Sequence, residues 1–502
     1  VIAFAALTGP LPKAGVVLVA LLAAWTLLAR ERRTQAVAML GALLLSPVLL
    51  LADIWHSPQL RLVHRHPALA AAAGVVALGL LVAAAAVIVR RPALLAGLAL
   101  LTLPFRVPIQ AGGTTSNLLV PLYLVIAAGA LAVIYQSLRD EDAPAREPGW
   151  LERLLALYVV LYGLQAIYSH DFEKALQQLV FFYVPFSLLF CLLRELDWTP
   201  QLIRKCFLLV IGLAVLFAAV GFAEYETKTL FLNPKLVAAN DVHAYFTVNS
   251  VFFDPDIFGR FLALVMILVA VVLLYGREKR EIIGATVILA ILWGGLVLTL
   301  SRSSLGALLV GLAVLAALRW KAWPVIAAAV VVVALGIAAV AISPKTFGLN
   351  QGLNGASSGR AGLVTGGFDL FRDRPILGYG SGSFVHEYRA HHPRSSQTLS
   401  ASHTIPITIA AEQGLLGELA YIALVLCALV SLLRGVRGSP VRSAIGAAFL
   451  ALVFHTMLYA DFLEDPVTWT LLGVGTALAA RQARLARRAE AARTGRVAVA
   501  PA

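Results

Sequence analysis

Long apolar runs separated by short polar turns recur along the chain from residue 14 to residue 481. About 20 mostly apolar residues make a helix that crosses a bilayer. Fifteen runs are candidates: 14–29, 35–52, 67–89, 93–105, 117–137, 151–168, 174–194, 200–223, 256–275, 281–300, 303–319, 322–343, 404–432, 443–460 and 466–481. Two of them, 93–105 and 303–319, are short, and the first also reads as a re-entrant segment. The pattern predicts an all-α fold, a polytopic transmembrane helical bundle of about 12–15 spans. One large, partly helical loop interrupts it at 344–403. The chain then divides into N-terminal transmembrane helices (1–230), central helices with exterior arginines (231–343), the loop (344–403), C-terminal transmembrane helices (404–481) and a basic tail (482–502).

Composition narrows the class further. Hydrophobic residues make up 60% of the 502 positions and charged residues only 13%, about half the charged share of a soluble protein. Two soluble domains, a disordered chain, a collagen and a disulfide scaffold are all excluded. Cys191, Cys206 and Cys427 lie in apolar runs and read as small core hydrophobes rather than as a disulfide set or zinc site. No cleavable signal peptide is expected.

The charge, 40 Lys and Arg against 27 Asp and Glu for a net +13, gains meaning once it is placed. Basic clusters follow every second helix: Arg30, Arg32 and Arg33; Arg90 and Arg91; Arg139, Arg146 and Arg153; Arg194, Arg204 and Lys205; Arg277, Lys279 and Arg280; Arg319 and Lys321; Arg434, Arg437 and Arg442; and six arginines from Arg481 to Arg496. They hold 25 of the 40 cations, and the bias of Lys and Arg toward cytoplasmic loops places them in the cytoplasm. Fifteen spans put Val1 on the other face. Residues 1–9, read as the end of a helix whose start precedes them, restore a cytoplasmic N-terminus. This charge distribution calls for a membrane and for no nucleic-acid partner.

The cations left outside are the informative ones. Arg260, Arg302, Lys345, Arg360, Arg372, Arg374, Arg389 and Arg394 fall on or near the exterior, most of them in the loop 344–403. Long structured loops often carry function. A second exterior segment, 224–255, holds Glu224, Glu226, Asp241 and His243, with Asp254 and Asp256 at its end.

Soluble-enzyme motifs are largely missing. No Gly-Lys pair exists, so there is no phosphate loop. Gly378-Tyr-Gly380-Ser-Gly382 is a fragment of a dinucleotide fingerprint without its strand or acidic residue; a tight turn or a close backbone approach to a ligand fits it better. His386-Glu387 with His391 misses the spacing of zinc proteases, and a solvated loop is the plainer reading of His386, His391 and His392. Asp254-Pro-Asp256 resembles the metal-binding acidic pairs of some glycosyltransferases, but more often such a pair starts a helix.

Arginines at membrane depth say more, because charge there is costly and usually faces a pathway or the bundle interior. Counted from the turn near Arg277–Arg280, Arg260 and Arg302 rise about 27 and 36 Å at 1.5 Å per residue, so both guanidiniums reach the exterior level. Arginine binds phosphate through two parallel hydrogen bonds and keeps its proton; the plainer alternative is snorkelling to headgroups. His403 ends the loop and opens a long helix. A helix N-terminus and nearby arginines both disfavour imidazolium, which leaves a neutral base or a capping histidine. Glu412, about 13 Å deeper in the same helix, reads as a residue with a polar or cationic partner. His455 is a weaker candidate.

These residues resemble the O-antigen ligase and polymerase superfamily of membrane glycosyltransferases. The resemblance rests on five segments in order: Phe253-Asp254-Pro255-Asp256 with Phe258 and Arg260; Leu300-Ser301-Arg302; Arg360 followed by Phe371 through Pro375-Ile376-Leu377-Gly378-Tyr379-Gly380; His403; and Glu412-Gln413-Gly414-Leu415-Leu416-Gly417. It covers roughly residues 240–430, while 1–230 match only as hydrophobic spans. Asn is common in the family at the place of Asp256, and its Asn after the histidine is Thr404 here, which still caps a helix but offers no amide to a sugar.

The resemblance implies an inverting transfer of a glycan from a polyprenyl diphosphate to an acceptor hydroxyl, needing no metal or other cofactor. It implies the periplasmic face of a bacterial inner membrane as the place of reaction. His403 is then the catalytic base, Arg260, Arg302 and Arg360 hold the diphosphate, and Asp254, Asp256, Glu412, Gly378 and Gly380 support them. The loop closes over the sugar, with Phe368, Phe371, Tyr379, Phe384 and Tyr388 available either for stacking or for a packed loop core. The partners are a lipid-linked glycan donor, a lipid or glycan acceptor and membrane lipid. A ligase acting on lipid A core, a repeat-unit polymerase and a protein O-oligosaccharyltransferase share this chemistry. A transporter or flippase would instead place its charges near the midplane.

Overall fold

The structure, a computed structural model of the chain, describes residues 9–55, 61–111, 114–139, 147–230, 240, 245–342, 360–393, 402–459 and 461–493. Asp241, His243, Lys345 and Arg394 lie outside the described residues. The helices in chain order are α1 (Pro10–Leu28), α2 (Arg32–Ile54), α3 (Arg61–Arg65), α4 (Pro67–Arg90), α5 (Ala93–Thr102), α6 (Val120–Arg139), α7 (Trp150–Ala166), α8 (Phe172–Gln178), α9 (Val184–Glu195), α10 (Pro200–Thr227), α11 (Pro255–Tyr275), α12 (Lys279–Leu298), α13 (Arg302–Arg319), α14 (Ala322–Ile342), α15 (Arg360–Asp373), α16 (Phe384–His391), α17 (Ile405–Leu433), α18 (Pro440–Thr456) and α19 (Pro466–Arg493). Among the described residues, ten helical segments are long and apolar enough to cross a membrane. Each of the fifteen apolar runs falls on a helix. The protein is an all-α polytopic membrane protein.

Local sequence sets several boundaries. Proline stands in the first turn of α1, α4, α10, α11, α17 and α18, where its missing amide costs nothing. Asp171, Thr199, Asp254 and Ser301 cap their helices with a side-chain oxygen. Between α8 and α9 the ladder widens into a π turn, Leu179–Tyr183. Pro185 follows it and lacks the amide that would continue the ladder.

A small antiparallel hairpin departs from the helical pattern, β1 (Val107–Ala111) against β2 (Thr114–Leu118). It lies between α5 and α6, and α5 ends at Thr102 after ten residues.

Two apolar cores organise the bundle. One joins α1, α2, α6, α7, α9, α17 and α19 around Tyr158, Phe186, Phe190 and Trp469. The other joins α10, α11, α12, α13 and α18 around Phe217, Phe258 and Leu262. α11 runs through the second core with twelve buried residues. It approaches α13 closely at Gly259, where a Cβ would stand 2.8 Å from the Ser304 hydroxyl.

The two ends of the bundle differ. Arg32, Arg194, Arg481 and Arg484 border one cavity, and Arg442 donates to Gln482 at 2.7 Å. The opposite end carries the turn after α7, the starts of α11, α13 and α17, and the end of α18. It also carries a cap formed by α15, α16 and the segment between them.

Candidate active site

Asp256 is the hub of the site. Asp254 follows a turn, caps α11 and accepts the Asp256 amide at 2.7 Å, which aims the Asp256 carboxylate toward the start of α13. Its Oδ1 accepts from the Ser301 hydroxyl and from Ser303 at 3.1 Å, and its backbone oxygen accepts from Ser304 at 3.2 Å. Its Oδ2 lies 3.8 Å from the Arg360 guanidinium. The serines reach it because the turn between α12 and α13 is tight. Leu300 takes a φ of 54° there, a left-handed conformation that is uncommon outside glycine, Asn and Asp.

The end of α18 closes the other side. His455 is fully buried, and its Nε2 stands 3.2 Å from Ser303 Oγ and 3.3 Å from Ser304 Oγ. Tyr459 donates to Asp254 at 2.8 Å. Its ring lies 5.6 Å from the His455 ring and 6.1 Å from the His403 ring. Burial pushes the Tyr459 hydroxyl well above its ordinary range, and the Asp254 and Asp461 carboxylates add to the shift. Burial likewise raises Asp254, aided by the neighbouring Asp256 charge and opposed by the Tyr459 hydrogen bond.

His403 sits at the N-terminal edge of α17 with a φ of 58°. Ser402 flanks it, donating to the Thr404 carbonyl and bonding the Thr408 hydroxyl, both at 2.6 Å. The imidazole Nδ1 is buried with no hydrogen-bond partner. Burial lowers the His403 pKa from its ordinary 6.5 and the Arg360 charge lowers it further, while Asp256 and Asp461 oppose. The ring is therefore neutral at pH 7, with a nitrogen able to accept a proton.

The three arginines stand in different settings. Arg260, one turn into α11, is 3% exposed and pairs with Asp465 at 2.8 Å. Its Nη1 is buried without a hydrogen-bond partner. Arg360 opens α15, reaches Asp256 and donates to the Leu458 carbonyl at 3.2 Å. Arg302 is exposed at the first position of α13 and makes no hydrogen bond or ion pair with another described residue. A cation at the positive end of a helix dipole is unfavourable by itself, and an anion bound there relieves both charges.

Gly378, Gly380 and Glu412 belong to a backbone interlock rather than to this cluster. α17 breaks at Gly414 (φ 64°, ψ −162°), and the segment after Arg374 threads the break. Tyr379 and Gly380 amides donate to the Ala411 and Glu412 carbonyls at 3.1 and 2.8 Å, and the Leu415 amide donates to Pro375 at 2.7 Å. A Cβ on Gly378 would stand 2.3 Å from the Glu412 carbonyl oxygen, and one on Gly414 2.4 Å from that of Ile376. The Glu412 carboxylate accepts the amides of Gly382 (2.8 Å) and Phe384 (3.0 Å), anchoring the start of α16. The neighbouring turn fastens to the same segment, with Ser169 donating to the Ser381 carbonyl at 2.7 Å.

The cap sorts its aromatic residues. Tyr379, Phe384 and Tyr388 pack with Leu363, Leu370 and Ala411. Phe368 is exposed and Phe371 half-buried, their rings 6.1 Å apart. His386 and His391 both approach the Glu387 carboxylate, at 3.1 and 3.8 Å. His392 stacks on Tyr388 at 4.5 Å. Among the described residues no three His, Cys, Asp or Glu side chains are placed to hold a metal ion.

Asp465, Tyr459, Ser303 and Ser304 are the contributors that sequence reasoning missed. Asp465 precedes Pro466 and looks like a helix start. Tyr459 stands some 200 positions from its partner Asp254. Only Ser301 and Ser303, flanking Arg302, carried a signal.

No curated protein matches the chain. The family model for O-antigen ligase matches residues 287–422. That stretch includes Arg302, Arg360, Gly378, Gly380, His403 and Glu412, and excludes Asp254, Asp256, Arg260, His455, Tyr459 and Asp465. Residues 287–422, threaded through the site just described, are therefore similar to an O-antigen ligase domain, a likeness consistent with the O-antigen ligase/polymerase superfamily.

Proposed function

We propose that the protein is a glycosyltransferase that moves a glycan from a polyprenyl diphosphate to an acceptor hydroxyl at the periplasmic face of a bacterial inner membrane. The observation that carries this reading is a neutral His403 beside Arg360 and Asp256, at the end of the bundle opposite the basic turns.

In this reading the imidazole takes the acceptor proton as the hydroxyl oxygen attacks the anomeric carbon. The bond from that carbon to the diphosphate oxygen breaks from the other side, which inverts the configuration, and its electron pair leaves with the diphosphate. Arg302 and Arg360, with the N-terminus of α13, hold the growing negative charge by fixed positive charge, as preorganised donors do. Arg260 lies behind them, its charge balanced by Asp465. Its role is to keep the start of α11 in place and to add a positive field. Phe368 and Phe371 offer rings to sugars at the cap surface. No metal is required for these steps, because the arginines do the work of a divalent ion on the diphosphate.

The test offers purified full-length protein a defined polyprenyl-diphosphate glycan together with lipid A core, a serine-containing peptide or a second donor. A product mass with lipid A core supports a ligase, one with a second donor a polymerase, and one with peptide a protein transferase. The variants His403→Ala and Arg302→Ala are expected to abolish every product while membrane insertion is kept. Full transfer by either variant overturns the mechanism, and no product with any acceptor overturns the enzyme reading in favour of transport.

A further inference from the structure

We propose that the cytoplasmic half of the bundle holds an anionic diacyl phospholipid, with its chains in an intramembrane groove and its phosphate on Arg204 and Arg481. The groove is a 980 Å³ cavity between α10, α11, α12, α18 and α19. Its walls are apolar, among them Phe207, Leu268, Ala285, Ala444 and Val474. Its mouth is basic, with Arg204, Arg442 and Arg481 against Glu281, the one acid among the described lining residues. The bias of Lys and Arg puts this mouth at the cytoplasmic surface.

Three observations select the occupant. The first is free charge: Arg442 is already bonded to Gln482 and to the Arg434 and Gly435 carbonyls. Arg204 is exposed and Arg481 half-buried, and neither bonds another described residue. The second is depth. From Arg481 to Thr470, the innermost wall residue on α19, the helix rises about 17 Å. That is close to half of the roughly 30 Å hydrocarbon core, the length available to a lipid of one leaflet rather than to a membrane-long isoprenoid. The third is a place for the headgroup. A second cavity of 390 Å³ shares Trp198 and Arg481 with the groove and adds Arg32, Arg194 and Arg484 against Glu195 and Asp197, so that its charge stays basic. Basic pockets between transmembrane helices on the cytoplasmic side suit anionic headgroups. This site lies at the end of the bundle away from His403 and does not depend on the proposed reaction.

The experiment uses delipidated full-length protein in detergent, titrated with phosphatidylglycerol or phosphatidylcholine and read by native mass spectrometry. One phosphatidylglycerol per chain is expected to be retained in preference to phosphatidylcholine. Arg204→Gln and Arg481→Gln should each weaken phosphatidylglycerol about fivefold and leave phosphatidylcholine unchanged. Gly284 lines the groove, and nothing lies within 4 Å of where its Cβ would be, so Gly284→Phe should plug the groove and displace the lipid. The rim variants sit at the surface and decide the matter if the plugged variant does not fold. Equal affinity for the two lipids, undiminished phosphatidylglycerol binding in the double rim variant, or stoichiometric displacement by a polyprenyl phosphate would each overturn the proposal.

Discussion

The Arg260 guanidinium and the Asp465 carboxylate stand 2.8 Å apart with 3% of each side chain exposed. They join α11 to the turn before α19 across 200 residues of chain. Breaking a buried pair on one side leaves an uncompensated charge and costs about 3–5 kcal/mol. Asp465→Leu is therefore expected to lower the midpoint of thermal unfolding sharply, and Arg260→Met with Asp465→Leu to recover most of it. If Arg260 acts only as a structural partner, transfer activity recovers in the double variant; if its field serves the diphosphate, stability returns and activity does not.

The acid limb of the transfer rate is expected to reflect His403. Its pKa is held below 6.5 by burial and by Arg360, so activity should persist below pH 6.5 and fall only as the ring protonates. Arg360→Gln removes one of the two lowering causes and should move that limb to higher pH, besides weakening donor binding. A pH profile of kcat for both proteins checks the direction.

Glu412 is expected to act through the cap. Glu412→Gln leaves one of the two amides, Gly382 or Phe384, without a full acceptor, a loss of about 1–3 kcal/mol. Hydrogen exchange over residues 378–390 should quicken in the variant. Unchanged exchange would argue against an anchoring role.

Gly378→Ala and Gly414→Ala should each be severe. A methyl group at either position meets the opposing backbone, and both residues have positive φ, so strain adds to the clash. Expression yield and monodispersity should collapse in these variants, while Gly212→Ala, with nothing within 4 Å of its Cβ position, should be silent.

Transfer is expected to survive dialysis against EDTA at undiminished rate, because in the proposed mechanism arginines rather than a divalent ion hold the leaving diphosphate. Loss of activity with recovery on adding magnesium or manganese would refute this.

Much of the architecture was legible because membrane helices declare themselves by length and apolarity, one segment at a time. The fifteen runs, the ends of α11 and α13, and the grouping of Arg302, Arg360 and His403 at one end follow from pattern and charge alone. Partnerships did not, since nothing in the sequence near Tyr459 or Asp465 points to Asp254 or Arg260. The hairpin at 107–118 had a local signal, Gly112-Gly113 between two polar-apolar stretches, of the kind that favours tight hairpins. The glycine-rich segments at 378–382 and 412–417 read as one motif each, whereas their meaning lies in threading each other.

That threading has a consequence for the order in which the protein is made. Ser169 bonds Ser381 across 212 residues and Gln165 bonds Gln413 across 248, and domains emerging from the ribosome fold N-terminal part first. The turn after α7 thus waits through the insertion of the segments from α8 to α14 before its partners arrive. The cap cannot seat until Glu412 and Gly414 have followed it, and Arg260 stays without its counter-charge until Asp465 is in place. The proposed reaction centre is therefore completed late in synthesis, which would keep a half-made chain in the membrane from holding an assembled site.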